Sequence, residues 1–196
     1  MKKLFTPENS TMLLIDHQVG TMAWVRSAEL SDIKQNTAVL AKAAKATNMP
    51  LIFTSSQENQ AQGFLFAELK NIAPDEYERR IQRQGIVDCM KDINFATAVR
   101  STNRKNLIIA GITTDVCVVY PTLTALEEGY NVQVVVDASG SPTHIADKIA
   151  LRRMDKAGAT LTTTNQLIAE LAKDWSSEHG SKLIEILFQD VLSKMR

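Results

Sequence analysis

The sequence has few of the residues that build metal sites or disulfide scaffolds. Its 196 residues include only two cysteines, Cys89 and Cys117, and three histidines, His17, His144 and His179. They are scattered along the chain, without a CxxC pair or a Cys/His cluster. This pattern argues against both a structural zinc site and a disulfide framework. In a reducing compartment Cys117 would remain a free thiol.

The chain also lacks an excess of charge of either sign and any long apolar run. Lys+Arg and Asp+Glu both number 22, so the formal net charge is zero. A balanced charge gives no electrostatic basis for binding nucleic acid or an anionic membrane. No segment approaches the roughly 20 apolar residues of a membrane helix, and the polar start lacks the apolar stretch of a secretory signal. We therefore expect a cytoplasmic protein with neither partner.

Short apolar runs alternate with stretches of helical spacing. The pattern predicts strands at 12–15, 51–53, 80–82, 107–110, 132–136 and 159–163. It predicts helices at 30–47, 94–102, 145–157, 165–173 and 183–195, and one from about Val118 to Glu128. The strands are continuously apolar, which is typical of a parallel sheet covered by helices on both faces. We therefore predict an α/β fold, whose last helix could pack on the body or on another subunit.

Two residues directly after predicted strands could carry chemistry. Cys117 follows the fourth strand, at the carboxyl edge where open α/β sheets build their sites. The start of the next helix would favour its thiolate form, which is the nucleophile. Asp16 follows the first strand and could accept the thiol proton. The alternatives are a packed core cysteine and an aspartate that caps a turn.

Four segments resemble the isochorismatase-like cysteine hydrolase superfamily in order and spacing. They are Leu13-Leu-Ile-Asp16-His-Gln18, Ala110-Gly-Ile-Thr113-Thr-Asp-Val-Cys117-Val, Ala125-Leu-Glu-Glu-Gly129-Tyr and Asp137-Ala-Ser139. The similarity covers about residues 8–175, and residues 137–140 and 152–158 are most similar to the YcaC-type branch. It implies a Rossmann-like three-layer α/β/α sandwich around a six-stranded parallel sheet of order 3-2-1-4-5-6. Residues 1–196 would form one such hydrolase domain, with 176–196 as a C-terminal helical extension.

The resemblance also implies a catalytic triad of Cys, Asp and Lys. Cys117 matches the nucleophile and Asp16 the general acid/base, while Arg83 stands where the family has its Lys. Arg keeps the positive charge but does not easily lose a proton. Lys91 is a nearby substitute in poorer register, and Arg83 could instead be a solvated charge at a strand end. The family further implies a cis bond before Thr113 and an oxyanion hole formed by the backbone N–H groups of Thr113 and Cys117.

Side chains after the first two strands are candidates to line the substrate pocket. They are Gln18, Trp24, Gln57, Glu58 and Phe64. Several relatives hold a metal through Asp and His residues after the second strand, but residues 54–60 contain no histidine. We therefore predict no metal and no cofactor, and we interpret Cys89 as a packing residue.

These features favour a cofactor-free cysteine hydrolase that acts on an amide, nitrile or related C–N bond of a small molecule. The reaction would pass through a thioester-type intermediate, and the YcaC branch implies a homo-oligomer, a tetramer or an octamer. The replacement of Lys by Arg83 motivates the alternative of a vestigial, non-catalytic oligomeric protein on the same scaffold. A thiol redox protein would need a resolving cysteine motif, and a Rossmann-type dehydrogenase would need GxGxxG after the first strand.

Overall fold

The computed structural model describes residues 4–192 of the chain and contains one six-stranded sheet. Its strands are β1 (Ser10–Ile15), β2 (Leu51–Ser56), β3 (Ile81–Arg83), β4 (Asn106–Gly111), β5 (Asn131–Val135) and β6 (Thr160–Thr162). Neighbouring strands pair in parallel in the order β3-β2-β1-β4-β5-β6. The predicted α/β class and strand order are confirmed.

Helices cover both faces of this sheet. They are α1 (Val19–Met22), α2 (Leu30–Ala46), α3 (Ala67–Ile72), α4 (Pro74–Glu78), α5 (Ile93–Ser101), α6 (Val119–Glu127), α7 (His144–Ala157), α8 (Thr164–Ala172) and α9 (Glu178–Asp190). Single 3₁₀ turns occupy Cys89–Lys91 and Val136–Ala138, and a π-helical turn occupies Thr114–Val118. The predicted helices are present with shifted ends, whereas α1, α3 and α4 lie in segments without a helical prediction.

The central strands β1 and β4 are mostly apolar because both of their faces are buried. In β1, Met12 and Leu14 belong to the core layer that includes residues of α2, α8 and α9. Leu13 and Ile15 point to the other layer, which includes residues of α5, α6 and α7. Alternate side chains of a strand face opposite ways, so each residue of β1 enters one of two cores.

Residues with short polar side chains stand at the start of several helices, because their oxygens accept hydrogen bonds from the first backbone amides. The Asp92 carboxylate accepts hydrogen bonds from the amides of Asn94 and Phe95, both at 3.0 Å, at the start of α5. Thr143 caps α7 in the same way. Gly158 ends α7 with a φ of 106°, a left-handed conformation that glycine adopts without steric cost.

The C-terminal helix α9 packs on α2 and α8 of its own chain. Leu183 and Leu187 are buried in this contact. The predicted stretch 183–195 is thus helical up to Asp190, the helix starts earlier than predicted, and residues 193–195 lie outside the described part. None of the helices within residues 4–192 combines the length and the apolar character needed to cross a bilayer.

Candidate active site

The candidate residues meet at the carboxyl edge of the sheet. Asp16 follows β1, Arg83 ends β3, and Cys117 lies in the π-helical turn after β4. Since β1 lies between β2 and β4, Asp16 is central and Cys117 comes from the adjacent strand end. Arg83 reaches Asp16 past the end of β2.

Asp16 and Arg83 form a buried ion pair. Asp16 is 0% exposed and Arg83 is 1% exposed. Arg83 Nη2 donates to Asp16 Oδ2, and Arg83 Nη1 donates to the carbonyl oxygen of Ile86. Arg83 Nε donates to Thr54 Oγ1 at 3.0 Å. Burial raises the pKa of Asp16, and the Arg83 charge opposes that rise. Lys91, the alternative cation, is exposed on its 3₁₀ turn.

The residue Cys117 is partly exposed, and its thiol is within hydrogen-bonding reach of the Asp16 carboxylate. Burial raises the pKa of Cys117, and the negative charge of Asp16 raises it further. Desolvation and the carboxylate thus act against the thiolate form that the helix start is expected to favour. Asp16 Oδ1 is buried and accepts no hydrogen bond of ordinary geometry from residues 4–192, so it is available to take a proton.

The turn that carries Cys117 is fixed by backbone contacts on two sides. The Ile112 amide donates to the Ile15 carbonyl at 3.0 Å, and the Thr114 amide donates to the Gly140 carbonyl at 2.9 Å. The peptide bond between Ile112 and Thr113 is cis. The Thr113 amide points at the Cys117 thiol and acts to lower its pKa. A backbone donor therefore lies beside the sulfur, where negative charge would develop.

Two of the predicted pocket residues have their polar groups engaged within the protein. Gln18 accepts from the Ser56 amide at 2.8 Å, donates to the Ser56 carbonyl at 2.9 Å, and also donates to the Gly63 carbonyl. Glu58 accepts two hydrogen bonds from Arg80, at 2.6 and 2.8 Å. These contacts tie loops together at the carboxyl edge.

The other three predicted pocket residues lie at the surface. Trp24 is 46% exposed and Phe64 is 56% exposed. Gln57 is also exposed, and its Oε1 accepts from Gln62 Nε2 at 2.9 Å. The structure thus brings Asp16, Arg83 and Cys117 together, while substrate contacts by the five pocket candidates stay predictions.

Sequence reasoning missed Thr54, which contacts Arg83 directly. The predicted second strand ended at Phe53, whereas β2 continues through three polar residues to Ser56. A polar residue that follows an apolar run at the carboxyl edge was the available signal. Ile86 was not recognisable, since it contributes only its backbone carbonyl.

The remaining candidate groups lie apart from this cluster or in the core. His17 is fully buried, its Nε2 lies 2.9 Å from the Ala138 carbonyl oxygen, and burial lowers its pKa to about 4. Cys89 is completely buried in the apolar layer that contains Phe95. Across the described residues, no group of three or more His, Cys, Asp or Glu is placed to hold a metal ion.

Comparison with known proteins gives consistent matches over most of the chain. Residues 10–166 match the isochorismatase domain. The probable hydrolase YcaC of Escherichia coli (strain K12) is 41% identical over 170 residues, which span 87% of this chain and 81% of YcaC.

Two solved YcaC structures share the fold over nearly the full length. YcaC from Pseudomonas aeruginosa, solved with hexane-2,5-diol and covalent acrylamide, has a TM-score of 0.92 and 36% identity, covering 98% of this chain and 94% of that one. Escherichia coli YcaC, described as an octameric hydrolase of unknown specificity, also has a TM-score of 0.92 and 36% identity, covering 98% and 93%.

Proposed function

The chain belongs to the isochorismatase family of hydrolases, and from this premise we propose that it is a cysteine hydrolase of small molecules. It would cleave an amide, nitrile or related C–N bond through a thioester-type intermediate. The observation that carries this proposal is the contact between the Cys117 thiol and the buried Asp16 carboxylate, which Arg83 neutralises.

Asp16 is the base that the proposed reaction uses, because burial and the carboxylate raise the pKa of Cys117 and so disfavour its thiolate. In the proposed first step, Asp16 takes the thiol proton while the Cys117 sulfur bonds to the substrate carbon. The backbone amides of Thr113 and Cys117 bind the oxyanion, and such donors contribute about 2.7–4 kcal/mol to the transition state. Asp16 then returns the proton to the leaving nitrogen, and the C–N bond breaks.

Water completes the cycle at the same carboxylate. Asp16, again ionised, takes a proton from water as its oxygen attacks the thioester carbon. The carbon–sulfur bond breaks, and the proton returns to the Cys117 sulfur. Burial raises the pKa of Asp16, which brings it closer to the working pH of a general base. Arg83 supplies fixed charge only, since a guanidinium stays protonated.

We extend the proposal to assembly and location. Escherichia coli YcaC is described as octameric, and this chain exposes 65% of Ile145 and 47% of Ile149 on α7. Exposed apolar side chains on one helix favour contact with another copy. We therefore propose a cytoplasmic homo-oligomer, a tetramer or an octamer. Light scattering on the purified chain measures its mass, and a monomer at working concentrations contradicts this part.

The vestigial alternative shares this scaffold and is favoured by one observation. Arg83 occupies the position of the family Lys, and its fork differs in shape from an ammonium. A non-catalytic protein would keep the Asp16–Arg83 pair for stability without turnover.

Electrophile trapping tests the proposed nucleophile. Acrylamide is the first probe, because the Pseudomonas aeruginosa YcaC structure contains it covalently bound. Peptide mass mapping should show the Cys117 adduct forming much faster than the Cys89 adduct. In Asp16→Asn the Cys117 rate should fall by about 10²–10⁴-fold, the usual contribution of a general base. Equal rates at the two cysteines contradict the proposal.

A substrate screen follows from the same variants. Small amides and nitriles are incubated with the wild-type chain, with Cys117→Ala as the blank and Cys89→Ala as the matched thiol control. Turnover by the wild type and by Cys89→Ala, without turnover by Cys117→Ala, supports the hydrolase proposal. Rapid Cys117 labelling without turnover of any member of the panel favours the vestigial alternative.

A further inference from the structure

We propose that Thr54 is a positioning residue of this site, which fixes Asp16 and Arg83 relative to each other through its carbonyl oxygen and its hydroxyl. The inference rests on the proposed function, since it gives the ion pair a role in proton transfer from Cys117. Thr54 lies in β2, between the strands that end at the two charged residues.

One residue makes both contacts. The Asp16 amide donates to the Thr54 carbonyl oxygen at 2.9 Å. Arg83 Nε donates to Thr54 Oγ1 at 3.0 Å. Thr54 is fully buried, so water does not compete for either contact. The middle strand therefore sets the separation of the two charges that flank it.

The direction of the Thr54 hydroxyl is fixed as well. Its single proton is donated to the Ile81 carbonyl oxygen at 2.7 Å. A hydroxyl has one donor and two acceptor lone pairs, so the lone pairs are left for Arg83. Thr54 thereby acts as an obligate acceptor toward the guanidinium and turns Nη2 toward the Asp16 carboxylate.

The pair needs such a contact because Arg83 ends a weakly anchored strand. β3 is three residues long and forms one edge of the sheet in residues 4–192, with β2 as its neighbour. An arginine side chain has four rotatable bonds, and an ion pair alone does not fix the plane of its guanidinium. The Nε contact with Thr54 acts together with the Nη1 contact with the Ile86 carbonyl to remove that freedom, and it leaves the fork aligned with Asp16.

Three titratable or charged groups face Asp16, and each affects the test. They are Arg83 from β3 and Cys117 from the π-helical turn, which contact Asp16, and the core Cys89, which is close enough to sense its charge. Arg83 acts to lower the Asp16 pKa through charge and hydrogen bonding. If the guanidinium loses its alignment, the Asp16 pKa rises. Because Asp16 must be ionised to accept the Cys117 proton, the reaction is then lost at a higher pH as the solution is acidified.

The experiment compares Thr54→Val, which is nearly isosteric but lacks the hydroxyl, with Thr54→Ser, which keeps it. The control is Thr37→Val, because the buried Thr37 hydroxyl donates to the Ile33 carbonyl of its own helix, at 2.7 Å, and lies away from the Asp16–Arg83 pair. The readout is the rate of Cys117 labelling by acrylamide against pH. In Thr54→Val the rate near pH 7 should fall by about tenfold or more, and the acid limb should move to higher pH. Thr54→Ser and Thr37→Val should follow the wild type.

A double-mutant cycle separates positioning from general damage. Lysine lacks the Nε–H fork, so Thr54→Val should add little to the effect of Arg83→Lys. Two results would overturn the proposal. One is a Thr54→Val labelling rate that falls with acid at the same pH as in the wild type. The other is an equal rate loss from Thr54→Val in the wild-type chain and in Arg83→Lys. If Thr54→Val does not fold, Thr54→Ala removes the same hydroxyl and is judged by the same criteria.

Failure of the proposed function is distinguishable from failure of this inference. Preferential labelling of wild-type Cys117 over Cys89 tests the former. The role of Thr54 is also measured by ¹³C NMR titration of the Asp16 carboxyl carbon, which needs no reaction at sulfur. A higher Asp16 pKa in Thr54→Val than in Thr54→Ser supports positioning by Thr54, and equal values overturn it.

Discussion

The Arg83 guanidinium neutralises the Asp16 carboxylate from two strands away, past the end of β2. Both side chains are withdrawn from solvent, so each charge depends on the other for compensation. Removing one partner of such a pair leaves a buried charge, which costs far more than losing a surface contact. The Asp16–Arg83 pair is therefore structural as well as chemical.

Replacing Arg83 should reveal how much the Asp16–Arg83 pair contributes to stability. Arg83→Ala should lower the free energy of unfolding by about 3–5 kcal/mol, because Asp16 is left unpaired in the core. Urea denaturation measures this loss. Arg100→Ala is the control, since the Arg100–Glu128 pair is largely exposed and should contribute less than about 1 kcal/mol. Comparable losses in the two variants would show that the buried charge is compensated elsewhere.

Arg83→Lys tests whether arginine is a competent member of the triad. Its turnover on a substrate from the amide and nitrile panel is compared with that of the wild type. A large gain indicates that Arg83 compromises the site, whereas no change indicates that a fixed positive charge is sufficient. We expect no large gain, because the fork of Arg83 is satisfied by Asp16, Thr54 and Ile86 together.

His17 should make the fold less stable in mild acid. Burial lowers its pKa to about 4 in the folded chain, from an ordinary value of 6.5. Between these values the unfolded chain binds a proton that the folded chain does not, so stability falls as the pH drops from 6.5 toward 4. The loss is about 3 kcal/mol. His17→Gln should remove this part of the pH dependence of urea unfolding.

The exposed His144 provides the control for that measurement. His144→Gln makes the same substitution at the surface and controls for the effect of the substitution itself. An unchanged profile in His17→Gln would contradict the assignment of the acid sensitivity to His17.

Gly111 allows β4 to approach β1 closely just before the cysteine turn. A Cβ at Gly111 would lie 2.6 Å from the Ile15 carbonyl oxygen and 3.0 Å from Val118. Gly111→Ala should therefore destabilise the fold by about 1–3 kcal/mol and slow Cys117 labelling as the turn shifts. In Gly129→Ala the added Cβ meets no atom within 4 Å, although a φ of 81° disfavours alanine there, so stability should fall while the cysteine turn stays in place and labelling persists. Wild-type labelling in Gly111→Ala would show that the turn tolerates the shift.

The packing of α9 on its own chain predicts a contrast between adjacent residues. Leu187 is 1% exposed and Phe188 is 58% exposed. Leu187→Ala should cost about 2–5 kcal/mol of unfolding free energy, because it leaves a cavity against α2 and α8. Phe188→Ala removes a larger side chain but should change stability little. Equal losses would indicate that Phe188 is covered in solution.

Much of the fold was predictable because periodicity and strand polarity are local signals. The run from Met12 to Ile15 identified β1, and Gly158 correctly ended α7. The sequence did not indicate α3 and α4, which are short and depend on packing by Leu69 and Tyr77. The end of β2 was also missed, since its polar residues Thr54, Ser55 and Ser56 form strand by pairing with β3, and Thr54 also pairs with β1.

The site was predictable in composition but not in its electrostatics. Motif spacing identified Asp16, Arg83 and Cys117 as candidates, and the structure places them in one cluster. The sequence did not indicate that burial and Asp16 raise the pKa of Cys117, because desolvation depends on tertiary packing that a single sequence does not reveal. The partners of Glu58 and Gln18 were equally hidden, since they lie on other loops.

The short length of β3 has a consequence for how this molecule responds to mild denaturant. Its three residues form an outer edge of the sheet, and Arg83 is the last of them. Edge segments with few backbone pairings open at lower free energy than the core. Detachment of this edge would remove the counter-ion of Asp16 while the central strands stay folded. Loss of Cys117 reactivity should therefore precede loss of circular dichroism as urea is increased.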